Sequence, residues 1–303
     1  DGTGVKIYPA GCITERMKGE KIYDYSSLGV KILSDDGRPV ENAELMRIAL
    51  EMSNENGLLI ASHCEDLNII NGGIINKGAI SEKLGVKGMD RASEDSVTAR
   101  EIALANSCNA RIHICHVSTR GSINYIRDAK LRGEKVTCET CPHYFTLTED
   151  KLLSMDADYR MSPPLRTEDD KNAILEALID GTIDCIVTDH APHTDEEKAD
   201  FHKAPNGVVG LETSLAVTLT ALYHTGKITI KKIVELMSLN PRKLLGIQIP
   251  EIKIGSIADF ILVDLNYEWE VNPQKLNSKS KNSVFKGEKL KGKNFYTITD
   301  GII

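Results

Sequence analysis

A chain of 303 residues with 41% hydrophobic, 27% charged and 5% aromatic residues can bury a sizeable core, as one or two domains or as one large α/β barrel. Its 44 acidic and 37 basic side chains leave a net charge of −7. Lysines concentrate only in the stretch 275–293, so no nucleic-acid partner is expected, because gripping a phosphate backbone takes clustered cations. No apolar run reaches the ~18–20 residues of a membrane helix, and no membrane partner is expected either. Seven scattered cysteines are not the framework of a small secreted domain, which points to the cytoplasm. Cys138 and Cys141 spell CxxC in a β-branched stretch without a helix start, and read as structural thiols. The first residues, Asp1-Gly2-Thr3-Gly4, carry neither an initiator Met nor a signal pattern.

Along the chain, short apolar runs at 5–9, 30–33, 58–62, 111–116, 136–141 and 184–188 read as strands. Between them lie helical patterns. Residues 42–54 space Leu45, Ile48, Ala49 and Met52 on one helix face, and 93–107 place Ser93 and Ser96 at the start of another. Residues 122–132 and 168–180 repeat the pattern. Alternating βα units whose strands are apolar throughout predict a parallel sheet covered by helices. Neither G-x-G-x-x-G nor GxxxxGK[ST] is present, which disfavours dinucleotide and P-loop folds. The expectation is an α/β fold of the (β/α)8 TIM-barrel type over residues 1–250. Residues 211–245 read as helices, with Pro241 in the first turn of a short one. The texture then changes to strands at 255–264 and 297–303, predicting a small β module over 251–303.

Four ionisable groups fall at carboxyl ends of the predicted strands: Asp36 within Asp35-Asp36-Gly37, His63, His116 and Asp189. Those ends share one rim of a parallel barrel, the face that carries the chemistry. Alone, such a His is usually a hydrogen-bonded core residue, and Asp-Asp-Gly is usually a turn. Two imidazoles and two carboxylates converging there suit a transition-metal site, where a metal acidifies water and a carboxylate takes its proton.

These residues sit in a series of segments: Leu33-Ser34-Asp35-Asp36-Gly37, Ser62-His63-Cys64-Glu65-Asp66, His113-Ile114-Cys115-His116-Val117-Ser118-Thr119, Pro163-Pro164-Leu165-Arg166 and Thr188-Asp189-His190-Ala191-Pro192-His193. With GVVGLET at 207–213 and GSIAD at 255–259, the series closely resembles the bacterial class I dihydroorotases of the amidohydrolase superfamily. The resemblance implies reversible closure of N-carbamoyl-L-aspartate to L-dihydroorotate in pyrimidine synthesis. It further implies two zinc ions, bridged by Asp36 where hydantoinases use a carboxylated Lys. His63 and His116 would ligate one zinc. Asp189 would ligate the other and act as the catalytic acid/base. His193 would meet the substrate carboxylate, with Ser162, Asn206 and Gly207 against the ring. Ser162 stands where many class I enzymes have Asn and hydantoinases often have Ser. Asn206 replaces the commoner Phe of Pro-Phe-Gly. His143 reads as structural.

The family's opening His-x-His-x-Arg and its Met-Pro-Asn-Thr segment have no counterpart among the eight His and their neighbours. The expectation is therefore of a chain that starts in mid-protein, with six barrel strands, one incomplete zinc site and weak activity alone. A hydantoinase, dihydropyrimidinase or allantoinase is the alternative enzyme, and a non-catalytic scaffold for aspartate transcarbamoylase the alternative of another class. Aspartate transcarbamoylase and a second copy of the chain are the candidate protein partners.

Overall fold

In the computed structural model, which describes residues 4–249 and 251–302, apolar runs become strands where they can be buried on both faces. Strands β1 (Ile32–Leu33), β2 (Leu59–Ser62), a side pair β3 (Ile75–Asn76) and β4 (Gly88–Met89), then β5 (Ile112–Ile114), β6 (Val136–Thr140) and β7 (Cys185–Ile186) follow in chain order. Five of them form one parallel sheet in the order β1-β2-β5-β6-β7. Its register is set by pairs such as Ile60 with Ile112 and Ile112 with Val136. Ile60, Ile112 and Ile114 are fully buried, each contributing roughly 1.5–3 kcal/mol.

Helices α1 (Ala43–Glu55), α4 (Ala92–Ser107), α5 (Arg120–Leu131) and α7 (Glu168–Asp180) pack side by side over this sheet, in chain order. Two shorter ones, α2 (Leu67–Ile70) and α3 (Ala79–Leu84), lie between α1 and α4, and α6 (Pro142–Thr146) lies between α5 and α7. The result is an arc of a (β/α) barrel wall. Helix α7 begins where Thr167 accepts from Asp170 N and Asp170 returns the bond, a capping box, and ends at Gly181 with φ +87°. Helix α1 is capped by the Asn42 side chain on Leu45 N. It buries Met46, Ala49 and Leu50, a face turned one residue from the expected one.

Several expectations need correction. Residues 5–9 form no strand: Val5, Ile7 and Tyr8 are exposed, and among the described residues the pairing with β1 is limited to Gly11 against Leu33. A Cβ on Gly11 would come within 3.1 Å of the Leu28 and Leu33 side-chain ends, which would have to give by a few tenths of an ångström. The central sheet thus has five strands among the described residues, not six. Ser93 does not cap α4 but bridges the main chain of Asp66, accepting from its N–H and donating to its carbonyl. Cys141 does precede a helix, α6. Even so, Cys138 and Cys141 are fully buried, all seven cysteines are free, and burial pushes the Cys138 thiol up to about 12.

Helix α8 (Ser214–Thr218) runs into a π turn, Leu219–Tyr223. Likewise α9 (Ile230–Val234) runs through a π turn, Glu235–Leu239, into α10 (Asn240–Leu244). Pro241, which has no N–H, falls just after that widened turn. In the tail, β8 (Phe260–Glu270) pairs antiparallel with β9 (Lys289–Ile298). The second strand therefore lies earlier than expected. Asp300 and Gly301 instead form a turn closed by Thr299 and Ile302. Residues Asp1–Thr3, Pro250 and Ile303 lie outside the described residues, so parts of the readings at both ends fall there. No helix among the described residues is long and apolar enough to cross a membrane.

Candidate metal centre

Asp36, His63, His116 and Asp189 each leave the rim within three residues of a strand end. Asp35 and Asp36 follow β1 and point to opposite sides. Asp35 is buried and accepts from Ile13 N at 2.8 Å and from the Thr14 main chain and hydroxyl, holding the incoming segment. The Asp36 carboxylate faces His63 and His116. Its pKa is held well below the usual carboxylate range by hydrogen bonds from His116 and His63.

His63 Nδ1 lies 2.9 Å from His116 Nε2 and 3.0 Å from Asp36 Oδ1, and His116 Nε2 lies 3.5 Å from that oxygen. A tetrahedral ion with arms of about 2.0–2.1 Å spaces its ligand atoms by roughly 3.3–3.4 Å. The triangle thus fits a transition metal, and its two imidazoles and one carboxylate suit one chemically. The far nitrogen of His63 is held by Glu65 Oε2 at 2.7 Å, the carboxylate–imidazole contact that orients metal-bound histidines. Burial opposes charge on His63, but Asp36 and Glu65 outweigh it and push its pKa up to about 10. His116 Nδ1 is buried without a hydrogen-bond partner among the described residues.

The His116 loop is held from behind. Glu94 accepts from the Ser118 and Thr119 N–H groups at 2.9 and 3.1 Å and pairs with Arg166 at 3.2 Å. Arg166 also donates to Ser118 Oγ and to Asn76 Oδ1. This buried network stands beneath a left-handed His116 backbone, φ +34°, which an L-residue adopts only under constraint. Asp189 is left-handed too, φ +45°.

A cavity of about 410 Å³ opens above the triangle, lined in part by Asp36, His63, Glu65, Ser162, Asp189 and the Asn206–Gly207 pair. Asp189 shares this cavity but is not among the three clustered ligands. Burial, then the neighbouring Asp36 charge, raises its pKa against the pull of His116. Ser162 donates its hydroxyl to both Glu65 oxygens, at 3.0 and 2.8 Å. Gly207, at φ +142°, accepts no side chain, since a Cβ would come within 2.7 Å of Ala191. His193 is not brought to the cavity lining. Its Nε2 meets the Asn206 carbonyl at 2.9 Å, and its Nδ1 lies 3.4 Å from Glu197.

Of the remaining imidazoles, His113 bonds Thr137 and Glu139, and His190 accepts from Gly210 and Leu211 N–H. His143 is buried with Nε2 unpartnered among the described residues, and burial drives its pKa down to about 3. Sequence reasoning assigned no role to Glu65, Glu94 or Arg166, although Glu65 and Arg166 lie within quoted motifs. The signal available was a charged residue beside each candidate ligand loop.

The amidohydrolase family profile matches residues 13–302. A dihydroorotase of Geobacter metallireducens is 48% identical over 98% of this chain and 71% of its own length. A dihydroorotase of Acetivibrio thermocellus is 46% identical with the same coverage. Among solved structures, a dihydropyrimidinase from Brevibacillus agri superposes with a TM-score of 0.80 at 24% identity, over 91% of this chain and 64% of that one. An L-hydantoinase from Arthrobacter aurescens gives 0.79 at 24%, over 96% and 63%. The chain therefore spans somewhat under two thirds of these structures' length, and they speak for the fold alone. The fold and the 48% identity agree: the chain belongs to the amidohydrolase family, on its dihydroorotase branch.

Proposed function

We propose that this chain carries the chemistry of a dihydroorotase, the reversible hydrolysis of the cyclic amide L-dihydroorotate to N-carbamoyl-L-aspartate. The triangle of His63 Nδ1, His116 Nε2 and Asp36 Oδ1 carries the reading. Zinc is the proposed ion. His63, His116 and Asp36 would hold one zinc, and Asp36 and Asp189 would contribute to a second. Zinc supplies Lewis acidity there, lowering the pKa of water and polarising the amide carbonyl. Asp189, above the triangle in a half-closed cavity, would move the proton between water and the ring nitrogen. Ser162 and the backbone at Asn206 and Gly207 would orient the ring, with His193 on the substrate carboxylate after a change of rotamer.

Since Ser162 Oγ donates to Glu65, it has only lone pairs to offer a ligand. It would accept from a ring N–H. A hydantoin could satisfy that hydroxyl equally well, whereas Asp36 in place of a carboxylated Lys favours dihydroorotate. We place the catalytic unit in residues 1–250 and a small β module in 251–303, in the cytoplasm, where seven free thiols persist. Aspartate transcarbamoylase and a second copy of the chain are the proposed protein partners.

The test is metal analysis with turnover on purified chain. We expect about one tightly held zinc, lost in His63→Ala, and weak hydrolysis of dihydroorotate that exceeds hydrolysis of hydantoin. Two tight zincs with robust turnover would sink the weak-activity reading. Preference for hydantoin would move the chain to the alternative substrate. Zinc binding without any turnover would favour a scaffold.

A further inference from the structure

Lys198 is buried to 8% exposure in the segment between His193 and Asn206. Its ammonium donates to three main-chain carbonyls, Ala157 at 3.0 Å, Arg160 at 3.1 Å and Pro205 at 2.9 Å. An ammonium has three N–H donors, so all are spent on backbone. Among the described residues no carboxylate pairs with it. The neighbouring charges are Asp156 and Asp158, both ion-paired to Lys286, and Arg160, whose own charge opposes that of Lys198. Burying an ammonium without a counter-ion is costly, which calls for a reason to keep it there.

The three carbonyls supply one. Residues 157–160 lead directly to Ser162, and Pro205 leads to Asn206 and Gly207, all three of which line the cavity. The Arg160 carbonyl also accepts from Gly207 N at 2.9 Å. The Arg160 guanidinium reaches across in the other direction, to the Phe201 carbonyl at 2.5 Å and to Asn206 Oδ1 at 3.4 Å. Two cations and one backbone bond therefore stitch the 193–207 segment to the 157–162 segment. None of the three contacts the metal ligands.

We propose that Lys198 is a positioning residue: by tying the Ala157–Arg160 carbonyls to that of Pro205, it sets the spacing between Ser162 and Asn206–Gly207 and so governs ligand affinity without touching ligand or metal. Its link to substrate rests on the dihydroorotase reading; the clamp itself does not. Burial pushes its pKa down to about 8, so the charged form that makes all three bonds is the one present at neutral pH.

The test compares Lys198→Met, similar in length and unable to donate, with the unsubstituted chain in three measurements. Hydrogen exchange is expected to accelerate at least tenfold in the amides of 199–207, Gly207 included, while α1 and α5 keep their protection. Cobalt bound per chain is expected to stay unchanged. The calorimetric Kd for dihydroorotate is expected to rise about tenfold, the scale of one lost charged hydrogen bond. Unchanged exchange at 199–207 would overturn the clamp. Loosened exchange with unchanged Kd would overturn the positioning role, and loss of cobalt or of α1 protection would show a general structural role instead. If the unsubstituted chain binds no dihydroorotate, the substrate reading falls, and exchange alone still decides the clamp.

Discussion

The five-stranded sheet and the two-stranded tail ribbon treat their apolar residues very differently. In the sheet, all four residues of β2 and all three of β5 are buried. In the ribbon, eight of the eleven residues of β8 are exposed, Ile261 and Leu262 to about half, and Phe295 and Tyr296 of β9 match them. The difference lies in neighbours: β2 has strands on both edges and helices behind, whereas β8 has one partner strand. The three ligand atoms that lie within 3.5 Å of one another are carried at the carboxyl ends of this buried sheet.

Substitutions can break this contrast, beginning with the charges buried under the rim. Arg166→Met would leave Glu94 buried without its counter-ion, and about 3–5 kcal/mol of stability should disappear in urea titrations. A loss below 1 kcal/mol would mean that the Ser118 and Thr119 donors suffice. Ile112→Ala, at the sheet's centre, should cost about 2–5 kcal/mol in the same measurement. Thr167→Ala removes the α7 capping box and should cost about 1 kcal/mol.

A pH effect should separate the regions as well. Lys198, facing Asp156, Asp158 and Arg160, has a folded pKa near 8, below the ordinary value of 10.5. Between those values the unfolded chain binds the extra proton, so this group makes stability rise with pH across the window and contributes no slope below it. Unfolding free energies at pH 7.5 and 9.5 should show that rise, and Lys198→Met should remove it. The ribbon's Lys289, Lys291 and Lys293, by contrast, are exposed. Smallest of all, Leu262→Ala should change stability by no more than about 0.5 kcal/mol. A larger loss would show that the ribbon face is covered in solution.

Much of the sheet was legible because buried parallel strands are continuous apolar runs, and all five central strands fall within the predicted ones. Residues 5–9 misled because apolar content says nothing about whether a cover exists. The β3–β4 pair escaped because Gly73 and Gly88 interrupt its short apolar patches, and its tight spacing rests on those glycines, where a Cβ would collide with backbone. At the rim, Asp36, His63 and His116 could be read from strand-end position and resemblance, and they converge. The turning of His193 toward Asn206 could not, because a rotamer leaves no mark in spacing. Nor could the backing network: the partners Glu94 and Arg166 are 72 residues apart, joined only by the fold.

Asp35 and Asp36 give the rim a built-in register gauge. The first carboxylate is spent on the backbone of Ile13 and Thr14, and the second on the imidazoles. Deleting a single residue from β1 would bring the wrong member of the pair to each task. Since the anchoring carboxylate is the buried one, such a frame error would surface first as lost folding, before a misassembled centre could trap the wrong ion.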